Sequence, residues 1–315
     1  MRHSGSSTGL HAISSPSPGS RRSFLGKSLT LAAAVVAGGH WTRPAVGAPG
    51  APLRKAIMYG TIGVGTTVMQ KFKAVKEAGF EGVEPNGGMD QDEVLRAMEA
   101  TGLEAASVCC HTHWAKPLSD PVPANRAIGL EGLRQSLKDA KRYGAGSVLL
   151  VPAVVNAQVG YAEAWDRSVA EIRKALPLAE ELGVTISIEN VWNNFLLSPI
   201  EAARYVDEFG SPRVGWHFDI GNVINTGWPE QWIRILGKRI QRIHLKEFSR
   251  EKADKEGKWA GFAVEFQKGS NDWPAIMKAL AAIGYTGWGI AEQGGGGSPE
   301  GLAKLSTAIS SIYAS

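Results

Sequence analysis

The stretch Trp165–Glu189, WDRSVAEIRKALPLAEELGVTISIE, contains one full repeat of the pattern that decides the fold. Apolar residues recur in its first part at intervals of three and four, as on a helix with one buried face. This stripe consists of Trp165, Val169, Ile172, Leu176 and Ala179. Gly183 stands where such a helix stops, and the β-branched run TISIE follows it. The stretch predicts a helix and then a buried strand that ends in the carboxylate Glu189.

The same unit repeats along the chain, with short apolar strands alternating with longer helical segments. The strand candidates are Ala56–Gly60, Gly82–Glu84, Glu104–Cys110, Ser147–Val151, Thr185–Glu189, Val214–Asp219, Arg242–Lys246 and Trp288–Glu292. Glycines stand at helix ends before several strands, namely Gly79, Gly102, Gly144, Gly183 and Gly284. Repeated strand–helix units predict a parallel sheet, and no Gly-x-Gly-x-x-Gly follows the first strand. We therefore expect an α/β fold of the (β/α)8 TIM barrel type, in a single domain.

The first fifty residues have a different character from the rest. Arg21 and Arg22 precede Phe24-Leu25, and an apolar stretch of about eleven residues runs from Leu29 to Gly39. This layout is typical of a signal peptide, and the arginine pair resembles the twin-arginine export motif. The stretch is shorter than the roughly 20 residues of a membrane span, which favours cleavage over a retained anchor. We expect residues 1–50 to be signal peptide and linker, cleaved near Ala48, and residues 51–315 to be an exported, periplasmic or secreted, barrel without stable membrane insertion.

The charge of the chain is concentrated in this leader. Five basic residues and no acidic residue lie within residues 1–50, while the whole chain has a formal net charge of +4. The remainder is therefore close to neutral, which argues against a nucleic-acid partner. The two cysteines, Cys109 and Cys110, are adjacent and offer no disulfide framework.

Polar residues lie at or near the carboxyl ends of four consecutive strand candidates, where a barrel of this type places its catalytic groups. They are Glu189, Asp219, His244 and Glu292. Carboxylates that follow buried strands are unfavourable unless they are paired or bind a metal, and three converging carboxylates would repel one another. A divalent cation relieves that repulsion, and three oxygen ligands with one nitrogen suit Mn²⁺ or Mg²⁺, with Zn²⁺ and Co²⁺ as further candidates.

Four short motifs carry a resemblance to a known family. They are IENVWN at 188–193, HFDIGN at 217–222, RIHLKEF at 242–248 and GIAE at 289–292. In this order and at barrel spacing, the set resembles the xylose isomerase-like TIM barrels, which include sugar (phosphate) isomerases, ketose 3-epimerases and hydroxypyruvate isomerases. The resemblance covers essentially the whole mature chain. It implies a metal quartet of Glu189, Asp219, His244 and Glu292.

For function, the resemblance implies a carbohydrate substrate and proton transfer beside its carbonyl through an enediolate. Glu189 and Glu292 would act as acid and base on opposite faces of the sugar carbon. Arg250 lies six positions after His244, where the ketose epimerases have a basic residue that binds substrate oxygens. The alternative is a solvated arginine in a loop. Asn222 replaces a histidine of the epimerases and Phe195 replaces an acid, so the substrate contacts differ and no particular ketose is implied. The related apurinic-site endonucleases need further histidines for three zinc ions, and that set is incomplete here.

Further side chains are candidates for substrate binding. Glu84 ends the second strand and is either an acceptor for a substrate hydroxyl or the partner of a lysine. Lys246 would polarise a carbonyl or hold an anionic substrate; the alternative is an ion pair with Glu84 or Glu247. His111 and His113 lie at alternate positions, so on an extended chain both would line the pocket. Trp114 would stack on a sugar face.

For each of two loops that follow predicted strands, the sequence leaves two interpretations open. Gly294–Gly297 leads into a helix start at Ser298, where flexibility is favoured over a phosphate site. The segment Ser249–Lys268 is long and contains Trp259, Phe262 and Phe266, as expected for a lid over the substrate or for a contact with a second subunit of a homo-oligomer.

Two other functions fit the same residues. An enolate that expels a β-substituent would make the protein a lyase or hydratase acting on keto-glycosides. A barrel that binds carbohydrate without catalysis belongs to a different class, and retained ligand affinity without solvent deuterium incorporation would identify it.

Overall fold

The computed structural model describes residues 53–315, which form a parallel α/β barrel. Its strands are β1 Arg54–Met58, β2 Gly82–Glu84, β3 Glu104–Ala105, β4 Val108–Cys109, β5 Ser147–Leu150, β6 Thr185–Glu189, β7 Val214–Asp219, β8 Ile240–Leu245 and β9 Trp288–Ala291. Its helices are α1 Val68–Glu77, α2 Gln91–Thr101, α3 Pro123–Tyr143, α4 Tyr161–Leu182, α5 Pro199–Asp207, α6 Ile220–Ile224, α7 Pro229–Leu236, α8 Arg250–Glu256, α9 Trp273–Ala282 and α10 Pro299–Tyr313. The predicted signal segment lies outside the described residues.

The strand order confirms the predicted barrel. Hydrogen-bonded neighbours run β3-β2-β1-β9-β8-β7-β6-β5-β4, and every pair is parallel. β3 and β4 are the two halves of the third predicted strand, so the nine strands occupy eight positions around the barrel. In the described part of the chain, no helix combines the length and hydropathy of a membrane span.

The third strand is broken where the sequence predicts one continuous strand over 104–110. Its first half pairs with β2 and its second half with β5. The backbone amide of Ala106 still donates to Val83, and that of Cys110 donates to Leu149. The Arg242 side chain of β8 reaches the break from a distant position of the sheet, with Nε donating to the Ala106 carbonyl at 2.5 Å. The third predicted strand therefore joins the two ends of the sheet, because its first half pairs with β2 and its second half pairs with β5.

The helices end where the glycine pattern predicts. α4 stops at Gly183 with φ of 71°, and α3 stops at Gly144 with φ of 76°, a region that disfavours residues with a Cβ. The predicted stripe on α4 faces the core, since Val169, Ile172 and Ala179 are buried. The strands beneath are buried along their whole length in β6 and β7. Polar residues at the carboxyl ends of these strands are therefore held by a rigid layer.

Candidate active site

Four side chains meet at the carboxyl mouth of the barrel, and they are the four predicted metal ligands. Glu189 ends β6, Asp219 ends β7, His244 lies in β8 and Glu292 directly follows β9. His244 Nδ1 is 3.0 Å from Glu189 Oε1, 2.9 Å from Glu292 Oε2 and 3.9 Å from Asp219 Oδ2. One ligand atom from each of the four lies within 4.8 Å of all the others. The structure thus brings these residues together in the geometry of a small-ion site.

Asn190 fixes the backbone of this site, and the sequence reasoning did not select it. Its Nδ2 donates to the Asp219 carbonyl at 2.7 Å, and its Oδ1 accepts from the Asp219 amide at 3.0 Å. The same Oδ1 accepts from the Trp216 indole at 3.1 Å. Asn222, a predicted substrate contact, donates from Nδ2 to the Asn190 carbonyl at 2.9 Å. The signal that could have identified Asn190 is its place as a polar residue directly after Glu189.

Glu84 contacts the back of the site. Its Oε2 is 2.9 Å from His244 Nε2, and the side chain is fully buried. The ion-pair partners that the described residues provide for Glu84 are His244 and His217, whose Nδ1 is 3.9 Å from Glu84 Oε1. Glu84 therefore holds the imidazole with Nδ1 towards the carboxylates, and it is placed neither as a substrate hydroxyl acceptor nor as the partner of a lysine.

Lys246 enters the cluster from the cavity side. Its Nζ lies 2.8 Å from Asp219 Oδ2 and 2.7 Å from Glu292 Oε2, whereas the alternative from the sequence was an ion pair with Glu84 or Glu247. The close packing of Gly221 beneath it sets this position, because a Cβ there would lie 2.7 Å from the Lys246 Cβ. The ammonium group thus compensates two of the carboxylates directly.

Burial and charge set the proton affinities of the cluster. Burial raises the pKa of Glu189 to about 7 and that of Asp219 to about 6. Burial opposes the ionisation of Glu292, but Lys246 and His244 outweigh it and lower the pKa of Glu292 below its usual range. Burial also opposes the charging of His244, yet the carboxylates around it raise its pKa. The site is a dense set of charges held out of water.

The donor set fits a divalent cation. Asp219 Oδ2 and Glu292 Oε2 are buried and accept no well-directed hydrogen bond from the described residues, although Lys246 lies at ion-pair distance. Buried carboxylate oxygens without such partners are unfavourable, and coordination would satisfy them. Metal sites in proteins often combine carboxylate and imidazole ligands. The second nitrogen of such an imidazole commonly donates to a further carboxylate, as His244 Nε2 can to Glu84 here.

A cavity of about 290 Å³ opens above the quartet. Its lining combines three of the predicted metal ligands with aromatic and apolar side chains. The lining residues are Met58, Cys109, His113, Trp114, Leu149, Glu189, Val191, Trp192, Asn222, His244, Lys246, Trp259, Phe262, Glu292, Gln293 and Gly294. Of the predicted substrate contacts, Lys246, Asn222, His113 and Trp114 line this cavity.

Arg250 does not line the cavity. Its Nε donates to the Ile224 carbonyl at 2.8 Å, and a terminal nitrogen donates to Gly227 at 2.7 Å. The guanidinium also lies over the Trp228 ring, 5.3 Å from its centroid. Arg250 begins α8, and these contacts tie the helix to the loop after α6, so the structure assigns it a packing position rather than a substrate contact.

His111 and His113 point in different directions. Residues 111–116 form turns rather than an extended chain, so alternate residues do not share a face. His113 is buried in the cavity wall, where its Nδ1 accepts from the Val151 amide at 3.2 Å and burial lowers its pKa to about 4. His111 is exposed and lies outside the cavity, beside Gly87 and Gly88.

The two loops at the mouth are more ordered than the sequence suggested. The segment 249–268 contains α8 and a 3-10 turn, Lys258–Phe262, which carries Trp259 and Phe262 into the cavity wall. Phe266 instead packs in the core against Trp273. Gly296 packs against the loop after β1, since a Cβ there would lie 2.5 Å from the Thr61 carbonyl. Close packing explains this glycine better than flexibility does.

The fold and the site together define a (β/α)8 barrel with a carboxylate and histidine cluster at its carboxyl mouth. The chain belongs to the xylose isomerase-like TIM barrel family, whose sequence model matches residues 72–309. This membership confirms the family that the four sequence motifs indicated.

Several relatives are named sugar-converting enzymes. The L-ribulose-5-phosphate 3-epimerase UlaE of Escherichia coli O1:K1 is 25% identical over 235 residues, which cover 70% of this chain and 79% of the relative. The inosose dehydratase of Geobacillus thermodenitrificans is 24% identical over 234 residues, which cover 68% of this chain and 78% of the relative. The crystal structure of 3-keto-D-glucoside 4-epimerase from E. coli has a TM-score of 0.69 at 16% identity and covers 84% of this chain and 100% of that chain. The last similarity shows the shared fold.

Proposed function

We propose that the protein is a divalent-metal-dependent sugar isomerase or epimerase that moves a proton beside a carbonyl group. The observation that carries this proposal is the convergence of Glu189, Asp219, His244 and Glu292 within 4.8 Å at the mouth of the barrel. The epimerase named among the relatives supports the same class. Mn²⁺ and Mg²⁺ are the first candidates for the ion, since three of the four ligands are oxygens.

In this proposal, Glu189 and Glu292 exchange protons with one carbon of the substrate. They come from the ends of β6 and β9, with β7 and β8 between them, so they approach the centre from separate positions of the barrel. Both line the cavity. A carboxylate that removes a proton and a second carboxyl that returns one produce isomerisation or inversion through an enediolate.

The remaining residues bind and orient the reacting group. A divalent cation held by Glu189, Asp219, His244 and Glu292 would supply Lewis acidity to the substrate carbonyl and would stabilise negative charge there. The Lys246 ammonium and the Asn222 amide face the same space, where they can donate hydrogen bonds to sugar oxygens. His113, which is neutral at pH 7, closes one side of the cavity.

Replacing Glu292 by Gln tests the proton-transfer role. We expect a folded barrel whose rate of solvent deuterium incorporation at the carbon next to the carbonyl falls about 10²–10⁴-fold, because an amide cannot exchange the proton. Mass spectrometry of a panel of ketoses and keto-glycosides measures this rate. The matched control is Glu99→Gln, an exposed position on α2. Undiminished exchange in the Glu292 variant would contradict the assignment.

A lyase is the second candidate, and the inosose dehydratase among the relatives favours it. The same proton abstraction followed by expulsion of a β-substituent gives an unsaturated product instead of an isomer. NMR of the products separates the two outcomes, since an isomeric sugar supports the first function and a released substituent supports the second.

A further inference from the structure

Among the described residues that line the cavity, none presents a free cation to a phosphate group; the Lys258 ammonium lies outside this lining, over the Trp192 and Trp259 rings at 5.5 and 5.3 Å from their centroids. Among the described lining residues, Lys246 is the one lysine or arginine, and its ammonium is already within 2.8 Å of Asp219 and 2.7 Å of Glu292. The Arg250 guanidinium donates to backbone carbonyls outside the cavity. Burial lowers the pKa of His113 to about 4, so its imidazole is uncharged at neutral pH. A sugar phosphate would bring a dianion to a site whose fixed charges are already compensated.

The cavity has an aromatic wall, which we define as Trp114, Trp192, Trp259 and Phe262. Trp192 contacts Trp259 and Phe262 at ring-centroid distances of 4.8 and 4.9 Å. The Trp192 indole donates to the Asn222 carbonyl at 2.9 Å. These ring contacts and this hydrogen bond fix Trp192, Trp259 and Phe262 beside the quartet.

Two members of the aromatic wall expose much of their surface at the mouth. Trp114 is 54% exposed and Trp259 is 63% exposed, although both line the cavity. Trp114 follows the third strand position and Trp259 follows β8, which is four positions away around the barrel. The two rings thus border the mouth from opposite sides. Large exposed aromatic surface around a cavity is typical of a ligand site.

We infer that the substrate is an uncharged sugar that carries an apolar substituent, a glycoside with an apolar aglycone, rather than a sugar phosphate. This inference rests on the proposed function. The carbonyl-bearing ring lies at the quartet, and the aglycone lies between Trp114 and Trp259, where it buries the exposed faces of both indoles. Trp192 and Phe262 pack against the sugar ring between these two regions.

Three matched compounds test the substrate class: a phenyl keto-glycoside, its methyl analogue and a phosphate ester of the same sugar. Solvent deuterium exchange with the metal-loaded protein gives kcat/KM for each. We expect the phenyl compound to exceed the methyl compound about tenfold or more and the phosphate ester to be the poorest. A preference for the phosphate ester would overturn the inference and leave the proposed function standing. Exchange with none of a broad sugar panel would instead contradict the proposed function.

Two tryptophan variants locate the aglycone. We expect Trp259→Ala and Trp114→Ala to reduce the phenyl preference towards unity, because KM rises more for the phenyl compound than for the methyl compound. Trp228→Ala is the matched control, because Trp228 is 54% exposed and lies outside the cavity. Quenching of indole fluorescence by the phenyl glycoside gives a readout that needs no turnover. An unchanged phenyl preference in both wall variants would refute this placement.

Discussion

His244 is the residue on which the geometry of the site depends. Its Nδ1 faces Glu189 and Glu292, while its Nε2 faces Glu84 at 2.9 Å. A ligand histidine is oriented by the group that accepts from its second nitrogen, and that group also fixes which nitrogen carries the proton. Glu84 is thus a positioning residue, because it touches the imidazole and not the cavity.

Replacing Glu84 by Gln removes the charge behind the imidazole and keeps the size of the side chain. We expect about 10–100-fold weaker Mn²⁺ binding, which is the usual effect of losing such a partner. Isothermal titration of the metal-free protein measures the affinity, and the electron paramagnetic resonance spectrum of bound Mn²⁺ reports the altered ligand field. Wild-type affinity with an unchanged spectrum would show that Glu84 only fills space.

The ligands also predict how metal affinity depends on pH. Burial raises the pKa of Glu189 to about 7 and that of Asp219 to about 6, and the surrounding carboxylates raise that of His244. Raised pKa values mean that these groups hold protons in the metal-free protein at pH values where free side chains would not. Because the metal must displace those protons, we expect Mn²⁺ affinity to fall as the pH is lowered from about 8 to about 6. Calorimetry in two buffers of different ionisation enthalpy detects the released protons, and a pH-independent affinity would contradict the prediction.

The convergence of the four predicted metal ligands could be anticipated from the sequence, because each lies at or next to the carboxyl end of an apolar strand and these ends meet in a barrel. Contacts that depend on loop conformation could not. His111 and Arg250 have the right spacing along the chain, but a turn directs one of them to solvent and backbone carbonyls engage the other. Glu84 has the right position on its strand, yet its partner is across the barrel.

At the scale of elements, the helix and strand pattern was predictable and the interruption of the third strand was not. β6 and β7 match their predicted spans, since β-branched composition and glycine stops are local signals. The break between β3 and β4 comes from pairing with two different neighbours. Such pairing is a property of the closed sheet, so no local pattern carries it.

The 3-10 turn over the cavity depends on one close contact. A Cβ at Gly261 would lie 2.4 Å from a Phe248 ring carbon, so the two elements meet only when this residue has no side chain. We expect Gly261→Ala to displace Trp259 and Phe262, lower stability by about 1–3 kcal/mol and raise KM for the substrate. Urea unfolding and steady-state kinetics measure the two effects.

Gly297→Ala is the matched control for this variant, since a Cβ at Gly297 meets no atom within 4 Å. Equal behaviour of the two alanine variants would show that the contact with Phe248 does not hold the turn.

At the scale of the whole molecule, the quartet links four consecutive strands. Its ligands come from β6, β7, β8 and the end of β9, which are neighbours in the sheet. An ion that binds all four can bind only when these strands are in place. Metal binding should therefore stabilise this half of the barrel against opening.

Metal loading is expected to raise the stability of the protein by about 2.7 kcal/mol at a free metal concentration of 100 times Kd. Thermal unfolding of the metal-free and Mn²⁺-loaded protein measures the total effect. Hydrogen exchange locates it, with the largest added protection expected in β6 to β9. Protection spread evenly over β1 to β9 would show that the ion does not act through these strands.

The placement of the quartet and the aromatic wall also bears on how such a protein can change over evolution. The ligands are rooted in strands, whereas Trp114, Trp259 and Phe262 stand on segments that follow strands. Insertions or exchanges in those segments would alter which molecules enter without disturbing the reaction centre. A laboratory library confined to residues 111–116 and 258–262 would thus sample new specificities while the strands that carry the quartet stay unchanged.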